Sequence, residues 1–341
     1  MKNLTPFALA ISAAGFFTAC QKDNSIEPSH TATVQQADAR QASGGYSVRN
    51  GRLVFANQAA FQKVVEHLNA NKTSLAAWDN GNGVTSLKEK YAAIDKRLAA
   101  LDAKFEQLSA AEQALAQQEM TVSERVEKGA ILWVPDPVFA SILNAEGEFQ
   151  IGDEVHHLTQ RDEYIVNASE QAVLKRQDWK NPAVRTFSIQ YGTNKKTEGT
   201  AQRSGQFTMW YTDYTERDIN GNTLPKTYNG RPTRLWASQW NVVWAAYASH
   251  GVRSQYEYKS RFAGWLDNDC SEIYVKGESV IIRPNDDSRT EQYVTNEDIK
   301  YNDDVVEATL QSHASVEFME IVWSNSTHRA VYKGATAQLS L

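Results

Sequence analysis

The chain has 341 residues, 41% of them hydrophobic and 10% aromatic, with a formal net charge of −6. That is enough apolar material for a packed core and enough length for two ordinary domains. An acidic balance of 41 Asp and Glu against 35 Lys and Arg argues against a nucleic-acid binder, which needs a basic stripe.

Residues 1–19 read as a signal peptide. Lys2 supplies the positive start, and Phe7 to Phe17 is an apolar run. The run is too short to span a bilayer, which takes ~20 apolar residues. Phe17-Thr18-Ala19-Cys20 closes it. This stretch resembles the lipobox of bacterial lipoproteins, departing from it at Phe17, where Leu is usual. The resemblance implies cleavage before Cys20 and acylation of its thiol, with more than one chain giving a stable membrane anchor. The competing reading is a plain secretory signal with an incidental Cys. Lys22-Asp23 resembles the surface-export tag of Bacteroidota lipoproteins. Residues 20–50 are then the lipidated Cys and a polar tether, holding the folded part on the order of 30 Å from the lipid. The implied location is the outer membrane, facing the cell surface or, as the alternative, the periplasm. With Cys20 acylated, Cys270 stands alone and no internal disulfide forms.

Residues 51–128 have helical texture. Asn57 can cap a helix carrying Phe61, Val64, Val65 and Leu68 on one stripe. Asn80-Gly81-Asn82-Gly83 is a break. Ser86 with Glu89 and Ser109 with Glu112 are capping-box patterns. Between them Leu87, Tyr91, Ile94, Leu98, Leu101, Phe105 and Leu108 keep alternating spacings of four and three, a short heptad seam. The expectation is a helical hairpin packed on itself or on the β-rich part of the chain. The sharper reading is a coiled-coil stalk or dimer seam.

Residues 129–341 read as short strands between Gly-bearing turns. Asn144 to Asp153 suggests a hairpin, and Val252 to Lys259 alternates as a half-buried strand does. Trp236, Trp240 and Trp244 fit one face of a helix or of a strand; Val-Val-Trp favours the strand. The fold class expected is α+β, a helical segment leading into an antiparallel β-sandwich-like domain.

Three features are similar to uncharacterised cell-envelope lipoproteins of gut and oral Bacteroidota. They are Leu53-Val54-Phe55 leading into a helix with Phe61, Thr85-Ser86-Leu87 after Trp78, and the Asn144–Asp153 hairpin before a Trp- and Tyr-rich sheet. The resemblance implies location and architecture, and carries no site.

Candidate sites are of two kinds. Trp210, Tyr214, Trp236, Trp240, Trp244 and Trp265 are a candidate platform for sugar faces or partner side chains, since each joins an apolar face to a polar tip. Core filling is the competing role. Asp213, Glu216 and Asp218 are candidate acids for hydrolysis. Asp218, Asn220 and Asn222 alternate as calcium ligands do, but Thr223 and Asn229 stand where a calcium loop needs Gly and Glu. His156 and His157 are strand neighbours that point to opposite faces. No cofactor or metal is implied, and no recognised catalytic motif is present. The favoured function is non-catalytic binding of a glycan or protein partner, with the helices as spacer. The alternatives are hydrolysis of a glycan or envelope polymer, and a structural role in surface assembly.

Overall fold

The computed structural model describes residues 45–70, 72–79, 81–191, 211–282, 290–314 and 320–341. The expected signal peptide, Cys20, most of the tether and Trp210 lie outside them. Two short strands come first, β1 (Tyr46–Arg49) and β2 (Arg52–Phe55). The stretch expected as tether up to residue 50 therefore ends in a strand, because Asn50 and Gly51 take up positive φ and turn the chain into a hairpin.

The helices come next: α1 (Gln58–Ala70), α2 (Lys72–Asp79), α3 (Leu87–Ala103), α4 (Ala110–Ala116), α5 (Val122–Glu127) and α6 (Pro137–Ile142). Asn57 caps α1 by accepting from the Ala60 amide at 3.0 Å, and Phe61, Val64, Val65 and Leu68 form its buried stripe. Ser86 and Ser109 both complete the expected capping boxes, and Thr121 adds a third at α5.

The chain then runs β3 (Glu148–Ile151), β4 (Glu154–Leu158), β5 (Asp162–Asn167), α7 (Ala172–Lys175), β6 (Arg185–Ser188), β7 (Gln190–Tyr191) and β8 (Tyr211–Thr215). It continues β9 (Thr233–Val243), β10 (Ala248–Lys259), β11 (Trp265–Asp267), β12 (Glu272–Ile282) and β13 (Glu291–Lys300). The last strands are β14 (Val305–His313), β15 (Glu320–Tyr332) and β16 (Ala335–Ser340). The segment open to a helical reading, 233–249, is strand over Thr233–Val243, breaks at residues 244–247 and resumes as strand at Ala248.

Among the described residues three sheets result. The first has the order β1-β2-β3-β4-β5-β6. All its pairs are antiparallel except β2 with β3, which is parallel. The second is built on β9 and β10, flanked by β7 and β8 on one side and by β11 and β14 on the other. The third is β13-β12-β15-β16, antiparallel throughout. The molecule is thus mainly antiparallel sheet with a few helices.

The second sheet is buried on both faces. Toward the third sheet it sends Leu235, Val252, Tyr256, Val306 and Ala308, which pack with Ile273, Val275, Ile281 and Ala330. Its other face sends Trp240, Val242 and Trp244 into a core shared with Phe55 of β2, Phe61 of α1, Phe139 of α6 and Phe149 of β3. The alternation along β10 predicts Arg253, Gln255 and Glu257 in water. The structure covers them: Gln255 is 8% and Glu257 2% exposed.

The first heptad positions of α3, Leu87 and Tyr91, share a core with Val122 and Val126 of α5 and with Val138 and Phe139 of α6. Leu98 and Ile94 pack on Ala263, Phe262 and Leu266 around β11, and Phe105 stacks on Phe262 at 5.3 Å. The seam thus packs on α5 and α6 at its start and on the residues around β11 further along. Nor do the helices extend as a spacer. They leave from β2 and return to β3, whose residues Val54 and Gln150 are Cα partners.

Candidate functional site

The end of the second sheet away from Trp240 carries polar groups. On β9, Arg234 and Trp236 share a face, as residues two apart in a strand do. The register sets Tyr214 of β8 opposite Trp236, Glu257 of β10 opposite Arg234, and Asp267 of β11 opposite Glu257. Trp265 lies opposite Lys259.

Arg234 is the centre of this group. Its guanidinium carbon lies 4.3 Å from the Trp265 ring centre and 5.1 Å from that of Tyr214. Its Nε donates to Glu257 Oε2 at 2.6 Å. Lys259 Nζ sits 5.5 Å from the Trp265 ring. Cation–π contacts of this kind orient both ring and cation. Three of the six platform residues, Tyr214, Trp236 and Trp265, thus come together, and each retains some solvent exposure.

The other platform expectations need correction. Trp240 and Trp244 are each 1% exposed. Trp240 Nε1 donates to Ser249 Oγ at 2.9 Å, and Trp244 packs on Phe139 at 4.8 Å. They fill the core because β9 is covered by helices at that end. The three candidate acids do not converge either. Asp213 accepts from the Tyr214 amide, Glu216 is exposed, and Asp218 closes a turn by accepting from the Asn220 and Asn222 amides. Desolvation opposes the charge on Asp218, but those hydrogen bonds prevail and hold it below the usual carboxylate range. The Asp218–Asn222 stretch is a polar turn.

A different set of acids converges beside Arg234. Glu257 is pushed up to about 7 by burial, against the pull of Arg234. Burial also raises Asp267, although Arg253 and Gln255 favour its charged form. Asp95, on α3 above them, is raised by burial and by the charge of Asp267. Asp304 is raised by burial and, again, by Asp267. A hydrogen-bonded line joins this floor to β14. Glu307 holds Arg253 at 2.9 Å, Arg253 Nη2 donates to Gln255 Oε1 at 2.8 Å, and Gln255 donates to Asp267. Ser238 Oγ, Arg253 Nε and Trp133 Nε1 are buried without a hydrogen-bond partner, although buried polar atoms are ordinarily paired.

Sequence reasoning missed these acids, and Asp95 left a readable signal. It falls four residues after Tyr91 and three before Leu98, on the buried stripe of α3. A carboxylate on a core-facing stripe marks a polar contact that something must satisfy.

Among the described residues no group of His, Cys, Asp and Glu is placed to hold a metal ion. His156 Nδ1 meets Glu163 at 2.6 Å, while His157 points the other way and stacks on Trp179 at 5.4 Å. Cys270 is buried, and burial pushes its thiol up to about 12, so it is no nucleophile at neutral pH. No helix of the described residues is long and apolar enough to cross a membrane.

No protein-family model matches the chain, and no curated protein matches it. Among solved structures, a DUF4848 family protein from Bacteroides thetaiotaomicron is similar over 87% of this chain and 100% of that chain. The identity is 11% and the TM-score 0.26. A likeness that loose assigns neither family nor function.

Proposed function

We propose that this is a lipid-anchored protein of the cell envelope, held in the outer membrane through Cys20, whose β-rich domain binds a glycan without cleaving it. The observation that carries the binding role is the rim formed by Tyr214, Arg234 and Trp265. Two rings are fixed about one guanidinium, at 5.1 and 4.3 Å, which in turn is fixed by Glu257. Such a rim offers ring faces and charged hydrogen-bond groups together, the combination that a polyhydroxylated ligand uses. Against the hydrolytic alternative, Asp213 stands on β8, Glu216 is exposed and Asp218 closes a local turn.

Trp265→Ala is expected to weaken binding of a responsive oligosaccharide by about tenfold or more. A glycan array and then calorimetry on the hit measure it, with thermal unfolding as the control for folding. Undiminished affinity in a folded Trp265→Ala protein removes the rim as the site. The anchor is tested separately by mass spectrometry of the mature protein. The expected N-terminal residue is Cys20 carrying acyl chains. An unmodified Cys20, or a retained leader, removes the anchoring.

A further inference from the structure

The third sheet packs on the second through one face, to which β12 contributes Ile273, Val275 and Ile281. Alternation turns Tyr274, Lys276, Glu278 and Val280 to the outer face. The register of β13 and β15 on β12 lays that face out in rows. Tyr293, Val280 and Trp323 form one row across the three strands. Tyr293 is 56% and Trp323 43% exposed. Beside this row the β12–β15 register shifts, between Val280 and Ile281. The extra residue there is Val322, 44% exposed next to Trp323. Large apolar side chains so exposed and so close together mark a contact surface.

Polar groups flank the row on both sides. Thr295, Glu278 and Asn325 stand on one side; on the other, Glu291 and Glu320 stand either side of Ile282. Lys276 pairs with Glu278 at 2.5 Å. The charged form of Glu278 is favoured first by that lysine and then by the Tyr293 hydroxyl. Further along, the Tyr274 hydroxyl donates to Glu297 at 2.9 Å, and Arg329 pairs with Glu272 at 2.5 Å. Carboxylates thus outnumber cations on this face. Two strand spacings separate β13 from β15, which sets the backbones of Tyr293 and Trp323 ~9.5 Å apart. Two sugar units of an extended β-linked chain advance by a similar length.

We infer that the outer face of the third sheet is a second binding surface, for a neutral, extended glycan laid across the strands with alternate sugars on Tyr293 and Trp323. The rings take the apolar faces of the sugars. The flanking carboxylates accept from hydroxyls, and Asn325 both donates and accepts. The surplus of carboxylates repels an anionic polymer. A protein partner would have to strip water from those carboxylates, whereas sugar hydroxyls replace that water with charge-assisted hydrogen bonds. The surface shares no residue with the rim of Tyr214, Arg234 and Trp265, which lies on the second sheet, so the two stand or fall separately.

The test is affinity electrophoresis of the full chain through gels holding soluble glucomannan, arabinoxylan or polygalacturonate. Retardation by at least one of the two neutral polymers, and none by polygalacturonate, is expected. Trp323→Ala should weaken it about tenfold or more, and Trp265→Ala should leave it unchanged. Thermal unfolding checks that the variants fold, and Tyr293→Ala supplies the same reading should Trp323→Ala misfold. On the unaltered protein, a hexasaccharide of the retarding polymer should compete, whereas a disaccharide, too short to reach both rings, should not. The surface is overturned by any of four results: no retardation by either neutral polymer, retardation by polygalacturonate, equal competition by the disaccharide, or undiminished retardation of a folded Trp323→Ala protein. Loss in Trp265→Ala alone assigns the binding to the rim and overturns this second surface; loss in Trp323→Ala alone does the reverse.

Discussion

Thermal stability is expected to peak at about pH 4 and to fall on both sides, most steeply above about 6.5. The acid limb comes from His250 and His328. Both are wholly buried in the sandwich: His250 lies between Trp240 O and Ser279 Oγ, and His328 between Ser254 and Ser326. Burial lowers them to about 4 and about 3. An unfolded histidine takes a proton below about 6.5. The folded ones refuse it until their own lower values, so stability drains away as pH falls through that interval, by ~3–5 kcal/mol for each site.

The alkaline limb has the opposite sign. Glu257, Asp267, Asp95 and Asp304 all have raised values in the fold. The folded state keeps protons that the unfolded chain releases near about pH 4. Their contribution is therefore lost as pH rises, and for Glu257 the loss completes above about 7. Between about pH 4 and 6.5 the two histidines offset only part of the loss from the four carboxyls; above it only the carboxyls act. Scanning calorimetry against pH measures the profile, and Glu257→Gln should flatten the alkaline limb. A melting temperature constant from about pH 6 to 9 would sink the account of the floor as a set of desolvated acids.

Gly251→Ala is expected to cost about 3 kcal/mol or more, at or beyond the upper end for overpacking. A Cβ at Gly251 would stand 2.3 Å from Trp240 Cζ2 and 2.8 Å from the Ala308 carbonyl oxygen. Neither can retreat. The indole is 1% exposed and tied to Ser249, and Ala308 belongs to the paired strand β14. The β10–β14 register shifts at this point, so the glycine marks the place where a ring crosses the sheet at backbone distance. Urea unfolding gives the magnitude. The same substitution made with Trp240→Leu should cost less, because the opposing ring is gone. Equal costs in the two backgrounds would mean the ring is not what excludes a side chain.

Local patterns are legible in the sequence and long-range ones are not. The stripe of α1, the two capping boxes and the alternation of β10 are written in spacings of a few residues, and each forms at the position its spacing predicts. The expected Asn144–Asp153 hairpin appears as β3 and β4 turning at residues 152–153, and the turn before it is set by Asn144 Oδ1 accepting from the Glu146 and Glu148 amides. What covers each face is a different matter. Arg253, Gln255 and Glu257 alternate like a solvated face, and only the arrival of α3 makes that face a floor. Trp236 and Trp240 share one face of β9, and Trp244 follows just past its end. Their fates differ because the helices cover one end of that strand and not the other. Periodicity gives the side on which a residue lies, and tertiary packing decides whether that side is wet.

The parallel pairing of β2 with β3, the one such pair among the described residues, has a kinetic consequence. Every helix from α1 to α6 is emitted by the ribosome between the two partners. The β1–β2 hairpin therefore waits, unpaired along one edge, until that whole stretch has been synthesised and has folded back. Closing so long a loop is slow compared with forming a hairpin. During that interval the exposed edge of β2, with Leu53 and Phe55, is the place where a newly made chain would stick to a neighbour.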